Sequence, residues 1–330
     1  MNLDKANKLI EKIAQSDNNI TPASPADMPL FNEFLSQEPH TYGNSWTYVV
    51  QSKYGIGPYG LGYKYYDGTN LSSVSIYPKM ENPDLLCFYW TRPMGPQILD
   101  IISKYSAELL DKFSTPTFLK KIFKEQFHYL QKKGFKETSY FPWHSKYPSE
   151  DDTYPEIIID AKATVNNYSN SETLKYSLKR YRNLLSRVRI IKIGEESLRM
   201  KAWTVADEFF RQQIPSLADN ISTSFDYYNV IFKSLYPGHE LFLIEEKTKE
   251  RGVFDLNKLD EQYYSIYMSL MLREKIQNLN EFSIIYRCHE ILQKGGVYLN
   301  MGGSETKGLH NFKNKFSVAR QNQMYWAAYY

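Results

Sequence analysis

At 330 residues the chain is too long for one ordinary core and suggests two domains of roughly 150 residues each. No apolar run approaches the ~20 residues needed to span a bilayer, and two cysteines and six scattered histidines give neither a disulfide frame nor the spacing of a structural zinc site. The net charge of +3 is small but unevenly placed, so position matters more than the sum. A soluble, cytoplasmic protein is the expectation, with attachment to a membrane periphery left open and no metal or resident cofactor required.

Residues 1–40 predict a lead-in: a helix over Leu3 to Ile13, a polar stretch with Pro22, Pro25 and Pro29, and a short helix to Leu35. Strand patterns follow at Trp46 to Ser52, Gly60 to Tyr66, Ser72 to Tyr77 and Leu85 to Thr91, separated by turn residues such as Asp67-Gly68 and Asn82-Pro83. The fourth runs through Arg92-Pro93-Met94-Gly95-Pro96 into a helix over Gln97 to Phe113, whose apolar residues recur at helical spacing. A strand at Thr117 to Ile122, a helix to Lys133 and a strand at Phe135 to Tyr140 complete a first domain over 41–160.

The asparagine- and serine-rich stretch 161–173 predicts a linker, and 174–330 a second domain on the same plan. Its opening helix, Glu172 to Val188, and the strand Arg189 to Ile193 are basic. From Thr173 to Ile193 there are Lys175, Lys179, Arg180, Arg182, Arg187, Arg189 and Lys192 and no acid. Helices over Glu196 to Gln212 and Phe225 to Leu235 precede strands at Glu240 to Glu246, Arg251 to Leu256 and Gln262 to Leu270, then a helix over Glu281 to Lys294. Strands clustered before a helix, twice, indicate α+β with two mixed sheets flanked by helices. The terminal Tyr325 to Tyr330 predicts a last strand, or an aromatic tail for a partner.

The stretch Gly295-Gly296-Val297-Tyr298-Leu299-Asn300-Met301-Gly302-Gly303-Ser304-Glu305 has the layout of a binding loop. A helix ends in a glycine pair, a short apolar strand follows, and it empties into a glycine-rich polar loop. Gly302 and Gly303 permit close backbone approach or φ > 0, while Asn300, Ser304 and Glu305 supply hydrogen-bonding groups. The same composition also suits a solvated turn. Lys313-Asn314-Lys315-Phe316 follows. Lysines in that tail and in the basic helix can form one patch for a polyanion or a solvated face.

The basic Lys179-Arg180-Tyr181-Arg182-Asn183 helix, with the terminal Asn300 to Glu305, Gly308-Leu309 and Lys313 to Phe316 segments, resembles the phosphatidylglycerol lysyltransferase carboxyl-terminal domain family. That family is similar to the Fem-type aminoacyltransferases, and the resemblance runs from about Pro25 to the end. It implies two tandem GNAT-like acyltransferase domains and transfer of an acyl group from aminoacyl-tRNA, or from acyl-CoA, to an amine or hydroxyl acceptor such as a lipid head group, a peptide or a small molecule. Positioning contributes ~7–11 kcal/mol to such reactions, so no nucleophilic triad is needed. Glu305 is the candidate for orienting or deprotonating the attacking group, with Asn300 and Ser304 beside it. Gly302, Gly303, Lys313, Lys315 and Phe316, with Lys179, Arg180 and Arg182, are the candidate substrate contacts. Glu305 also reads as a surface carboxylate paired with Lys307. For coenzyme A, Arg92 and Gly95 match the first half of a pyrophosphate loop but fail at its final glycine, and Met271 to Gln277 contains no glycine at all. A non-catalytic polyanion-binding protein is the alternative from another class.

Overall fold

The computed structural model describes residues 8, 11–12, 18–50, 62–79, 82–138, 140–141, 144–148, 154–213, 227–232, 238–272, 276–304 and 306–330. The helix expected over Leu3 to Ile13 lies for the most part outside them, and Glu305 lies wholly outside. The chain forms two compact units: Met1–Glu156 with Gly303–His310 and Asn322–Tyr330, and Ile157–Gly302 with Asn311–Gln321. Among the described residues no helix is long and apolar enough to cross a membrane.

The first unit begins with β1 (Ile20–Pro22), α1 (Met28–Ser36) and α2 (Trp46–Val50). β2 (Tyr63–Tyr66), β3 (Leu71–Lys79) and β4 (Asn82–Met94) follow as an antiparallel meander, with β1 added to β2. After α3 (Ile98–Phe113), β5 (Thr117–Ile122) returns parallel to β4. Next come α4 (Lys124–Gln131), β6 (Lys136–Glu137) and the small pair β7 (Tyr140–Phe141) with β8 (His144–Pro148). Val74, Ile76, Phe88, Trp90 and Leu119 of the sheet and Ile98, Ile102, Leu109, Phe127 and Leu130 of the helices make this unit's core.

The second unit opens with β9 (Glu156–Asp160), α5 (Ala161–Asn166), α6 (Glu172–Leu185), β10 (Arg189–Lys192), α7 (Glu196–Gln213) and α8 (Tyr228–Phe232). β11 (His239–Glu246) and β12 (Lys249–Lys258) form a hairpin, followed by β13 (Tyr263–Ser265), β14 (Ser269–Met271), α9 (Leu279–Gln293), β15 (Tyr298–Asn300), α10 (Lys307–Lys313), β16 (Val318–Asn322) and β17 (Tyr325–Tyr329). Its sheet runs β10-β11-β12-β13-β15-β9-β16, with β14 also on β12 and the β13/β15 pair parallel. Alternation along β11 and β12 explains the layers. Phe242, Ile244, Phe254 and Leu256 pack with α6 and α9 on one face, while Leu241, Leu243 and Val253 pack with α7 and α8 on the other.

β17 is not in that sheet. It lies between β5 and β6 in the first one, antiparallel to both, with Trp326, Ala327 and Ala328 buried. The chain's last strand thus completes the first sheet. Both sheets share a plan: an antiparallel meander, one parallel pair joined through a helix, and a further antiparallel strand on the parallel partner. Each sheet is mixed and flanked by helices, so both units are α+β.

Three local expectations change. Residues Trp46–Val50, β-branched and aromatic, form a helix because Ser45 caps it: its Oγ accepts from Tyr48 N at 3.2 Å. The stretch read as a linker holds α5, whose amino end is capped by Asp160 accepting from Ala163 N at 2.7 Å. The single strand expected over Gln262 to Leu270 is broken in two. Between the pieces, the N–H groups of Tyr267 and Met268 leave the ladder and donate to Asp255 Oδ1 at 2.9 and 2.8 Å. Buried Arg287 braces the same place, donating to the carbonyls of Asp255 and Met268 at 2.7 and 2.8 Å. Cys87 and Cys288 form no disulfide and both are buried, and burial pushes the Cys288 thiol up to about 12.

The β2–β3 turn hangs on Asp67. Its Oδ1 accepts from the N–H groups of Thr69 and Asn70 at 2.9 and 2.8 Å. Burial pushes its carboxyl up, but those N–H groups and the side chains of Asn70 and Tyr65 outweigh it and hold the pKa down to about 2, from 3.8. A depressed carboxyl contributes stability that is fully present above its unfolded value and drains as pH falls through the folded one. Asp67→Ala should therefore lower the urea midpoint at neutral pH, and the gap to the parent should narrow as pH falls from about 4 towards 2.

Candidate functional site

In the second unit the binding loop is built from β15 outward. Gly296, before the strand, has no room for a side chain: a Cβ would stand 2.5 Å from the Tyr264 ring. β15 then pairs with β13 and β9, and Asn300, buried, ends it. Asn300 Oδ1 accepts from Gly302 N at 2.8 Å while Gly302 takes φ +66, the left-handed turn that favours glycine. The carbonyl of Gly302 accepts from Lys313 Nζ at 3.1 Å and from Ile157 N at 3.2 Å. Asn300, Gly302 and Lys313 are thus brought together, with a buried ammonium on a backbone carbonyl.

Their sequence neighbours go elsewhere. Lys315 Nζ pairs with Glu281 Oε1 at 3.3 Å and lies over the Phe312 ring. Phe316, expected as a substrate contact, is a core residue packed edge-on to Phe312, because its apolar ring is worth more buried than exposed. In the first unit Ser304 is fully buried, its N–H reaching Tyr154 O at 3.4 Å and its Oγ without a hydrogen-bond partner among the described residues. Gly303 belongs to the same unit.

The basic helix α6 starts at Ser171, whose Oγ accepts from Leu174 N at 3.3 Å, and buries Leu174, Leu178, Tyr181 and Leu184. The cations of the helix and of the residues that follow it, through β10, are less isolated than the sequence suggested. Glu172 pairs with Lys175 at 3.2 Å, Glu246 with Arg187 at 2.7 Å, and Glu240 with Lys192 at 2.5 Å, the last two acids coming from β11. Lys179, Arg182 and Arg189 have no acidic partner among the described residues, and Arg180 lies against Tyr176, donating to its hydroxyl. Arg180, Asn183 and Arg187 line a cavity of about 300 Å³ with Leu184, Ile276 and Gln277. Arg182 does not share it. It lines a second cavity on the other side of the helix.

The coenzyme A candidates in the first unit are engaged within the protein. Gly95 has φ +113, and a Cβ there would lie 2.5 Å from the Thr69 carbonyl oxygen, so the glycine serves a tight backbone crossing. The N–H of Gln97, at the head of α3, is already held by Asn70 Oδ1 at 2.9 Å. Arg92 is 2% exposed and turned inward, 3.8 Å from Glu38 and over the Phe123 ring.

Sequence reading missed what Arg92 joins. Thr91 and Lys120 form the last register pair of the parallel β4/β5 ladder, and the next residues, Arg92 and Lys121, both turn left-handed, at φ +53 and +61. Both side chains are buried. Lys121 Nζ lies 4.0 Å from Glu156 and over the rings of Tyr42 and Tyr48. Glu156 Oε2 accepts from Tyr42 N at 2.9 Å and Asn322 Nδ2 at 3.4 Å. Burial lowers the Arg92 pKa, opposed by the carboxylates of Glu38 and Glu156 and by Tyr48. Arg92 Nε and Nη2 have no hydrogen-bond partner among the described residues, so the cluster tolerates a costly desolvation at the carboxyl ends of two parallel strands. The members are far apart in sequence, and only Arg92 lies in a stretch the sequence singled out, there for a different role. Among the described residues no group of His, Cys, Asp or Glu is arranged to hold a metal ion.

Removing one member of a buried charge cluster strands the others. Glu156→Ala should cost about 3–5 kcal/mol in urea denaturation, and Glu156→Gln distinctly less because it retains the contacts to Tyr42 and Asn322.

No protein-family profile matches the sequence, and no curated protein matches it. Solved structures do. A conserved protein of unknown function from Bacteroides thetaiotaomicron VPI-5482 superposes with a TM-score of 0.64 at 12% identity, over 94% of this chain and 99% of its own. FemX superposes at 0.62 and 12% identity, over 94% and 96%. The C-terminal domain (DUF2156) assigned to a lysylphosphatidylglycerol synthetase of Agrobacterium fabrum superposes at 0.59 and 10% identity, over 92% and 91%. At these identities the likeness is one of fold. The chain has the overall fold of FemX and of the lysylphosphatidylglycerol synthetase domain, a likeness the sequence resemblance implied.

Proposed function

We propose that this protein is an acyltransferase that passes an aminoacyl group from tRNA to an amine or hydroxyl acceptor. The observation that supports this most is the cavity of about 300 Å³ at α6, where Arg180 and Arg187 converge with Asn183. Guanidinium groups suit phosphate, and an exposed tyrosine beside them, Tyr176, offers a face for a base. The fold shared with FemX and with a lysylphosphatidylglycerol synthetase domain adds weight, the latter name pointing to a lipid acceptor.

In the reaction the acceptor nitrogen or oxygen attacks the ester carbonyl, a new C–N or C–O bond forms, and the bond to the ribose oxygen breaks. The proton lost by the acceptor ends on the ribose hydroxyl. Glu305 is assigned to orient the acceptor and carry that proton. Lys313, fixed by the Gly302 carbonyl, places a positive charge at the strand end, and Asn300 holds the turn that fixes it. Stabilising the developing oxyanion is the largest single contribution such a site can make, about 3 kcal/mol per donor. For coenzyme A no comparable observation exists, since Arg92 is turned inward and the Gln97 N–H is occupied.

Binding of an aminoacyl-tRNA pool should fall steeply between two salt concentrations. The double variant Arg180→Ala, Arg187→Ala should weaken it about tenfold or more and flatten the salt slope by about two contacts, measured by filter binding. Displacement by acetyl-CoA would move the donor elsewhere, and equal binding of charged and uncharged tRNA without turnover would favour a polyanion-binding protein.

A further inference from the structure

The second cavity is separate from the one assigned to the donor. It holds about 480 Å³ between α6 and α9. Leu178, Tyr181, Arg182 and Leu185 on α6 and Tyr286, His289, Glu290 and Gln293 on α9 line it, each set spaced i, i+3, i+4, i+7, so two helical stripes face one another, with Val165 of α5 alongside.

Three of its polar groups have no hydrogen-bond or ion-pair partner among the described residues. Tyr181 is 7% exposed, its ring packed between Phe282 at 5.1 Å and His289 at 5.3 Å, yet its hydroxyl has no hydrogen-bond partner among the described residues. Burial, then the Glu290 charge, pushes this phenol up to about 12, so it keeps its proton. His289 stacks on it, and burial lowers the imidazole's pKa, leaving a neutral ring with one donor and one acceptor. Arg182 adds a guanidinium without an acidic partner among the described residues. The carboxylate in the wall is already engaged: Glu290 pairs with Lys294 at 2.7 Å. Among the described residues the groups left over are therefore one cation, the Tyr181 phenol, a neutral imidazole and the Gln293 amide, beside the aliphatic side chains of Val165, Leu178 and Leu185. They match an acceptor-rich anion with a hydrophobic body and disfavour a cation.

We propose that the α6–α9 cavity binds a small organic anion with a flat apolar body, its carboxylate or phosphate on Arg182, its polar edge on Tyr181 and His289, and its ring against Leu178 and Val165. This site does not depend on the transfer reaction.

The test is isothermal titration of the full chain with 4-hydroxybenzoate and with adenosine monophosphate, and with phenol, adenosine and inorganic phosphate as the separated halves. Saturable one-to-one binding of either whole probe, at least about tenfold tighter than both of its halves, is expected, and which one binds decides between a carboxylate and a phosphate ligand. Arg182→Gln should weaken it about tenfold and Tyr181→Phe several-fold. Leu185→Trp, at a half-exposed position that leaves the core intact, should block the cavity, as should Val165→Phe. Absence of saturable binding by both probes into the millimolar range overturns the proposal. So does binding that persists unchanged in Leu185→Trp and Arg182→Gln with an unaltered melting temperature.

Discussion

The first sheet depends on pairing between its interior and the end of the chain. β5 has β4 on one side, and its other side is covered only when β17 arrives, with β6 then held through β17 alone. A local hairpin cannot supply such a strand, so the ordering of this unit carries a long-range loop-closure cost that is offset only once β17 is in place. The second sheet has a related demand. β15 fits between β13 and β9, so a strand made before α5 meets one made after α9. In both sheets a parallel pair is thereby locked on its far side by an antiparallel strand.

The candidate chemistry follows from that locking. Parallel strands release their backbone at the same end, and polar groups collect there. In the first unit Arg92 and Lys121 leave the β4/β5 ladder together, and in the second Asn300 leaves β15 opposite Ser265. The two ends differ in electrostatic character. In the first, two cations and a carboxylate are withdrawn from water, an arrangement whose desolvation rivals its attraction and which tolerates little alteration. In the second, an ammonium rests on a backbone carbonyl, while the cations of α6 stand in solvent at small individual worth.

Much of this plan was legible. The helical periodicity of residues 98–113, 172–185 and 279–293 is strong, and the strands of both meanders are bounded by turn residues whose chemistry is plain. What failed did so where a distant or polar contact overrode local pattern. Trp46–Val50 has strand composition but obeys Ser45. The run after Gln262 has continuous strand composition but is broken by Asp255, a residue on another strand. In the glycine-rich loop, the turn held between Asn300 and Gly302 was readable because its two partners stand two residues apart. The burial of Phe316 was not legible, because its basic neighbours give the segment a polar look. The Arg92, Lys121 and Glu156 cluster had no local signature, since only the sheet brings it together.

The two thiols described with the core have an experimental consequence. Cys87 lies in β4 and Cys288 in α9, both closed to solvent, and the second holds its proton far above physiological pH. Thiolate, not thiol, reacts with maleimides and oxidants, so the native protein is close to silent towards both. A single cysteine introduced on the surface would carry a fluorophore or spin label without first removing the natural ones, and unmasking of Cys87 and Cys288 to a thiol reagent would itself report the opening of each unit's core.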